Sequence, residues 1–509
     1  MPEPLQPDPR DAYFDVSALG PGTQSRVRKS TAFVLALSAI KLILHLGSAI
    51  VLVRLIPPEE FGIASLAMPV AMIAMHISQF GLAQPIIQMQ VVTHRLVNTL
   101  FWVNLFLGIV FGGLMIAGSG LAAQHFDVPE VGPVFAVLGI SVILSAALTP
   151  YIAILRRKQK LVLLENGTLI AFVVSTVVAV IAALAGASYW AVILQQVLQT
   201  LITLVLYVWG VAWKPSSLGE TDLRGSTGAL KFGASVSVGY MFQLVAQGLP
   251  TLVVGGQISP TAAGLYHRSV TLSRLLPERI VSPLASIFIP SLSRLQEDGP
   301  AFRALFGRAI VFLNFLLIPI SVLSFSTADI FVPFILGPDW AAAAPLLAWL
   351  SLMIMQNPID QGVVWSLNAQ AARKHILMYG MVCLAVVVAA LGGAYLFSAP
   401  ENRLINVAIW IVCGNFAIRL PVAAWFATRA THLTAAVIAR SYLPDLLIGW
   451  AAIAAILLTR QQIQDSTELV QFAVAVAILL AIYLARLLQS AVLREGAMAM
   501  VQKLRKKVG

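Results

Sequence analysis

From residue 131 the chain reads VGPVFAVLGISVILSAALTPYIAIL, twenty-five residues without one charged side chain. A helix of that length crosses the hydrocarbon core of a bilayer. Runs of this kind recur along all 509 residues. In lipid each backbone N–H and C=O must be satisfied within its own segment, so these runs are helices. Charged residues make up 11% of the chain and hydrophobic ones 59%. Roughly a quarter of a soluble domain is charged, so a water-soluble fold is excluded. The fold class is all-α and polytopic.

The spans read as 31–53, 61–86, 97–121, 131–154, 163–186, 189–213, 231–255, 261–290, 303–327, 341–368, 374–397, 404–427, 440–459 and 467–489, fourteen in all. The stretch 328–340 is apolar but broken by Pro333, Gly337 and Pro338, and reads as an interfacial re-entrant segment. Lysines and arginines test the count. With the N-terminus inside, the even-numbered loops and both tails hold roughly 25 of them, against Arg54, Arg403 and Arg460 on the other side. The net charge of +11 therefore follows from topology and implies no nucleic-acid partner. Residues 1–30 read as a disordered cytoplasmic tail whose Arg26, Arg28 and Lys29 hold the N-terminus inside, and 490–509 as a basic cytoplasmic tail suited to lipid headgroups. Cys383 and Cys413 fall inside spans as packing residues, so neither a disulfide framework nor a metal site is expected.

An internal echo organises the spans. LIPPEEFGIAS and QISPTAAGLYH align Ile56, Pro58 and Gly62 with Ile258, Pro260 and Gly264 at a constant offset of 202. FDVPEVGPVFAVLGI and ILGPDWAAAAPLLAWL give a second echo in the same order. Six spans per half make these parallel repeats. The expected division is an N-terminal lobe at 31–213, a cytoplasmic linker at 214–230, a C-terminal lobe at 231–427, and two further spans within 440–489.

Span eight breaks the apolar rule. AAGLYHRSVTLSRLLPERIVSP carries His267, Arg268, Arg274, Glu278 and Arg279. At 100° per residue these lie in one wedge of about 140°. Arginine at the bilayer centre costs about 2.5–3.5 kcal/mol even on lenient scales, so the wedge is expected to face protein or a watery cavity. Arg274 and Glu278, one turn apart, are expected to pair. Arg279, near the inner end, is also placed to snorkel to headgroups. Elsewhere, Lys41 lies deep in span one with His45 a turn away, and Arg54 closes that span's outer end. His76 and Gln79 lie in span two. Asp360, beside Asn357-Pro358, marks a gate or cation site. Glu165 and Asp445 sit near span ends, where capping or pairing is the plainer role.

VRLIPPEEFGIASLAM, GLAQPIIQ, IFIPSLSRLQED and LGPDWAAAAPLLAWL, in that order, resemble the Wzx-type polysaccharide-transporter branch of the MOP flippase superfamily, from about residue 30 to 490. The resemblance implies two six-helix lobes in a V plus two C-terminal helices, with spans one, two, seven and eight around a central cavity. It places Lys41, Arg54, Arg268 and Arg274 there, with His267 and Arg279 completing the candidate substrate-binding set. The function it implies is movement of undecaprenyl-diphosphate-linked oligosaccharide repeat units, for exopolysaccharide, capsule or O-antigen, from the cytoplasmic to the periplasmic leaflet of the bacterial cytoplasmic membrane. Fixed cations would replace the diphosphate's lost hydration. No cofactor is expected beyond a coupling cation, Na+ or H+, with Asp360 and Glu278 as candidates. Expected partners are the lipid-linked oligosaccharide, membrane lipids and a polysaccharide polymerase with its co-polymerase, around a monomer. The alternatives are a multidrug or ion antiporter on the same fold, or a membrane-embedded polymerase or ligase. The outer loops are short and pair no nucleophile with a base, so an enzyme is not expected.

Overall fold

The computed structural model describes residues 8–15, 23–79, 81–490 and 493–494, and side chains within helices except those of 23–36, 38–39 and 235–236. The side chains of Arg26, Arg28 and Lys29 and the tail from 495 onward lie outside these. The described residues contain no strand. The main helices are α1 (Thr23–Leu55), α2 (Pro58–Gln79), α3 (His94–Ala117), α4 (Val131–Arg157), α5 (Leu161–Leu184), α6 (Tyr189–Gly210), α7 (Thr227–Gln257), α8 (Pro260–Arg294), α9 (Gly299–Ser326), α10 (Pro338–Ala369), α11 (Arg373–Phe397), α12 (Pro400–Ala430), α13 (Ala435–Gln462) and α14 (Glu468–Gln489). Thirteen helices among the described residues, α2 to α14, are long and apolar enough to span a membrane. The first expected span lies in α1, much of which has no described side chains. The chain is a multi-pass membrane protein.

Local chemistry sets the boundaries. Thr93, Asp298 and Thr434 accept hydrogen bonds from the backbone N–H groups of Leu96, Ala301 and Val437, capping α3, α9 and α13. Residues 328–340 fold as a helix, Ala328–Leu336, stopped at Gly337 with φ 104°. A π-turn, Asn415–Arg419, interrupts α12.

The chain forms two compact units, Met1–Gly264 and Leu265–Gly509. The division falls within α8 and not in the expected linker, because α7 lies against α2. The echo noted above is physical. A Cβ on Gly62 would fall 2.1 Å from the Pro260 carbonyl oxygen, and one on Gly264 2.6 Å from that of Pro58. The two repeat copies thus pack reciprocally at the starts of α2 and α8. Only glycine permits so close an approach of backbones.

The expectation of disorder through residues 1–30 fails for residues 8–15 and for residues 23–30, which open α1. Pro9–Phe14 forms a 3₁₀-helix with Phe14 buried in a cluster that includes Phe101, Tyr151 and Trp213. Asp11 Oδ1 accepts from the first N–H of α3, at His94 (2.6 Å). The Arg157 guanidinium donates to four carbonyls, those of Phe14, Ile86, Met89 and Gln90. Arg10 pairs with Glu220 (2.9 Å) and donates to Ser216 Oγ. The expected linker is itself fixed to α3: Asn98 Oδ1 accepts from Ser216 N, Trp102 donates to Ser216 O, and Thr99 Oγ1 accepts from Asp222 N. An aromatic pocket and a charge-assisted cap outweigh the Pro-rich composition that predicts disorder.

Candidate functional site

In the first unit Lys41 is buried at 7% exposure. Its ammonium meets Glu165 Oε2 at 2.6 Å and the Thr168 hydroxyl, both on α5. Span one carries no acid, so the partner comes from span five. Glu165, expected to play a plain end-of-span role, neutralises this buried cation. His45, one turn on, stacks on Phe172 at 3.8 Å between ring centroids and contacts the Lys41 carbonyl through Nδ1. Arg54 is exposed at the C-terminal end of α1.

In the second unit Arg268 is buried at 7% exposure, and His267 is half-buried beside it. Ser269, next in sequence, donates to the Ala343 carbonyl and so holds this stretch of α8 against α10. Arg274 and Glu278 pair at 3.3 Å, as the one-turn spacing predicts. Arg279 and Glu278 are both exposed, so the wedge is sheltered at Arg268 and open toward its C-terminal end. Asp360 is held by Arg419 (2.8 Å) and by the Tyr379 hydroxyl (2.6 Å). The π-turn carries Arg419, which also donates to Asn415 Oδ1. Asp445 pairs with Arg486 of α14 and accepts from Asn314. In this conformation the Asp360 carboxylate is shared with a guanidinium, and a coupling cation would have to displace it.

The first unit also holds a polar cleft of about 390 Å³ among α2, α4, α7 and the short helix Ala83–Gln88. His76, Gln79, Arg156, Tyr240, Gln243 and Gln247 line it. Gly81, just past the end of α2 with φ 62°, also lines it, and a Cβ there would lie 2.4 Å from the Gly233 carbonyl of α7. A nearby groove of about 300 Å³, bounded by Val70, Ile73, Phe111 and Leu114, is apolar by contrast. The sequence reading included His76 and Gln79 but not Gln243 or Gln247. The missed signal was a polar stripe at helical spacing within span seven.

The family described as a polysaccharide biosynthesis protein matches residues 51–345. The lipopolysaccharide biosynthesis protein WzxC of Escherichia coli (strain K12) is 21% identical, over 66% of this chain and 69% of its own length. The fold is that of the lipid II flippase MurJ in an inward closed conformation, at a TM-score of 0.67 and 11% identity, covering 89% of this chain and 97% of that one. An inward-facing multidrug-resistance MATE transporter of the MOP superfamily follows at 0.60 and 14%, covering 76% and 94%.

Proposed function

The chain belongs to the polysaccharide biosynthesis protein family, and from that premise we propose that it is a transporter and not a catalyst, one that flips lipid-linked oligosaccharide repeat units across the membrane. The cargo is an undecaprenyl-diphosphate-linked glycan moving from the cytoplasmic to the periplasmic leaflet of a bacterial cytoplasmic membrane by alternating access. The observation that carries this reading is a guanidinium, Arg268, buried at 7% exposure inside a helix long enough to span the bilayer. A cation kept at that depth is costly, and an anionic group crossing the membrane is what it suits. Lys41 serves the same end in the first unit, its Glu165 contact holding the ammonium until a diphosphate competes for it. The extended lipid tail stays in the bilayer while the headgroup crosses. Coupling to Na+ or H+ through Asp360 would proceed by release of Arg419.

The test is Arg268→Gln in cells that make the polymer. Export should fall about tenfold or more, the loss of a charge-assisted contact, while lipid-linked repeats accumulate inside. Unchanged export would remove the reading. The MATE likeness keeps a multidrug antiporter as the second reading; it would leave polymer export intact and change sensitivity to cationic drugs instead.

A further inference from the structure

We infer that the polar cleft of the first unit is a loading subsite for the neutral sugar that adjoins the diphosphate of the cargo, a step that rests on the flippase reading. Three observations carry it. Tyr240, Gln243 and Gln247 fall within about 60° of one another around α7, so one face of a spanning helix presents two amides and a phenol. Each amide offers both a donor and an acceptor, the pattern that vicinal sugar hydroxyls require. The Gln243 amide nitrogen is shielded from solvent and has no hydrogen-bond partner among the described residues, and Gln243 is one of the residues that line the cleft. A shielded donor left unmade is unfavourable, and a hydroxyl oxygen of a bound ligand would satisfy it.

The charges of the cleft select the ligand further. Arg156 is its arginine, exposed and engaged in no ion pair among the described residues. No carboxylate among the described residues lines the cleft. A cation beside neutral amides fits a phosphate next to a sugar, and offers nothing to a cationic drug. The volume of about 390 Å³ lies at the small end of ligand pockets, which run from roughly 300 Å³ upward, so it takes the first sugar and not a whole repeat unit. The cleft lies at the end of the spans that carries the basic loop Arg156, Arg157, Lys158 and Lys160, the side from which cargo made in the cytoplasm would arrive.

The experiment compares two lipids in proteoliposomes of the full chain: undecaprenyl diphosphate carrying a single N-acetylhexosamine, and undecaprenyl diphosphate alone. Loss of two hydrogen bonds in a variant with Gln243→Leu and Gln247→Leu should slow flipping of the sugar-bearing lipid about tenfold relative to the bare one. Arg156→Gln should slow both lipids equally. Gln247→Ala, which adds no apolar bulk, should shift the same ratio by about threefold and guards against a misfolded double variant. An unchanged ratio in the double variant and in Gln247→Ala overturns the subsite. Failure of the unsubstituted protein to move either lipid overturns the flippase reading itself, and is seen before any variant is made.

Discussion

At the scale of single residues, three cations within the helices are balanced by acids that lie far away in sequence. Lys41 meets Glu165, Arg419 meets Asp360, and Arg486 meets Asp445. Breaking one side of such a pair leaves an uncompensated charge, whereas removing both sides together is often tolerated. Glu165→Gln should therefore destabilise the detergent-solubilised protein by about 3 kcal/mol, and Lys41→Met combined with Glu165→Met should recover most of that loss. If Lys41 also meets cargo, the double variant will melt normally and transport poorly; normal flipping would reduce Lys41 to a structural role. The sequence marks Lys41, Arg268 and Asp360 as out of place because a charge in an apolar run is conspicuous by itself. Their partners are not legible, since nothing in a linear pattern says that span one lies beside span five, or span ten beside span twelve. The Arg274–Glu278 pair was legible for the opposite reason: both partners sit one turn apart on a single helix.

Among the helices, the reciprocal crossing of α2 and α8 explains why a proline and a glycine recur four residues apart in both repeats. The proline opens the helix, and the glycine lets the other copy's proline carbonyl approach. Gly62→Val places side-chain atoms where the Pro260 carbonyl already lies, and Gly264→Val does the same at Pro58. Each should cost about 1–3 kcal/mol or more, by the measure of overpacked interiors, and the two should be alike because the geometry is mirrored. Gly113→Val in α3, with nothing within 4 Å of its Cβ position, is the matched control. Thermal unfolding of the three variants checks this, and a Gly62 variant as stable as the Gly113 one would refute the crossing. The constant offset of 202 makes the repeat visible in sequence. That the copies touch each other is a fact of tertiary packing, which periodicity does not encode.

Taken whole, the chain divides where contacts thin out, within α8, and not at the Pro- and Ser-containing stretch 214–230 that composition suggests. That stretch is bound from two sides, by α3 and by the docked segment at residues 8–15. Arg10 is the clasp, bridging Asp8, Ser216 and Glu220. A chain lacking residues 1–15 should lose this cover, together with the Phe14 side chain and the Asp11 cap. Trypsin should then cut at Arg224 several times faster than in the full chain, read by fragment appearance over time. Equal rates would show that α3 alone holds the stretch. The pH dependence has a definite sign. The hydrogen bonds from Arg10 hold the Asp8 carboxyl down at about 2, below its ordinary 3.8. Its contribution is therefore complete above the ordinary value and lost only as pH falls through about 2. Protection should stay flat between about pH 5 and 8, while rising salt, which screens exposed pairs, should weaken it. A loss of protection within the neutral range would assign the clasp to some group other than Asp8 and Arg10.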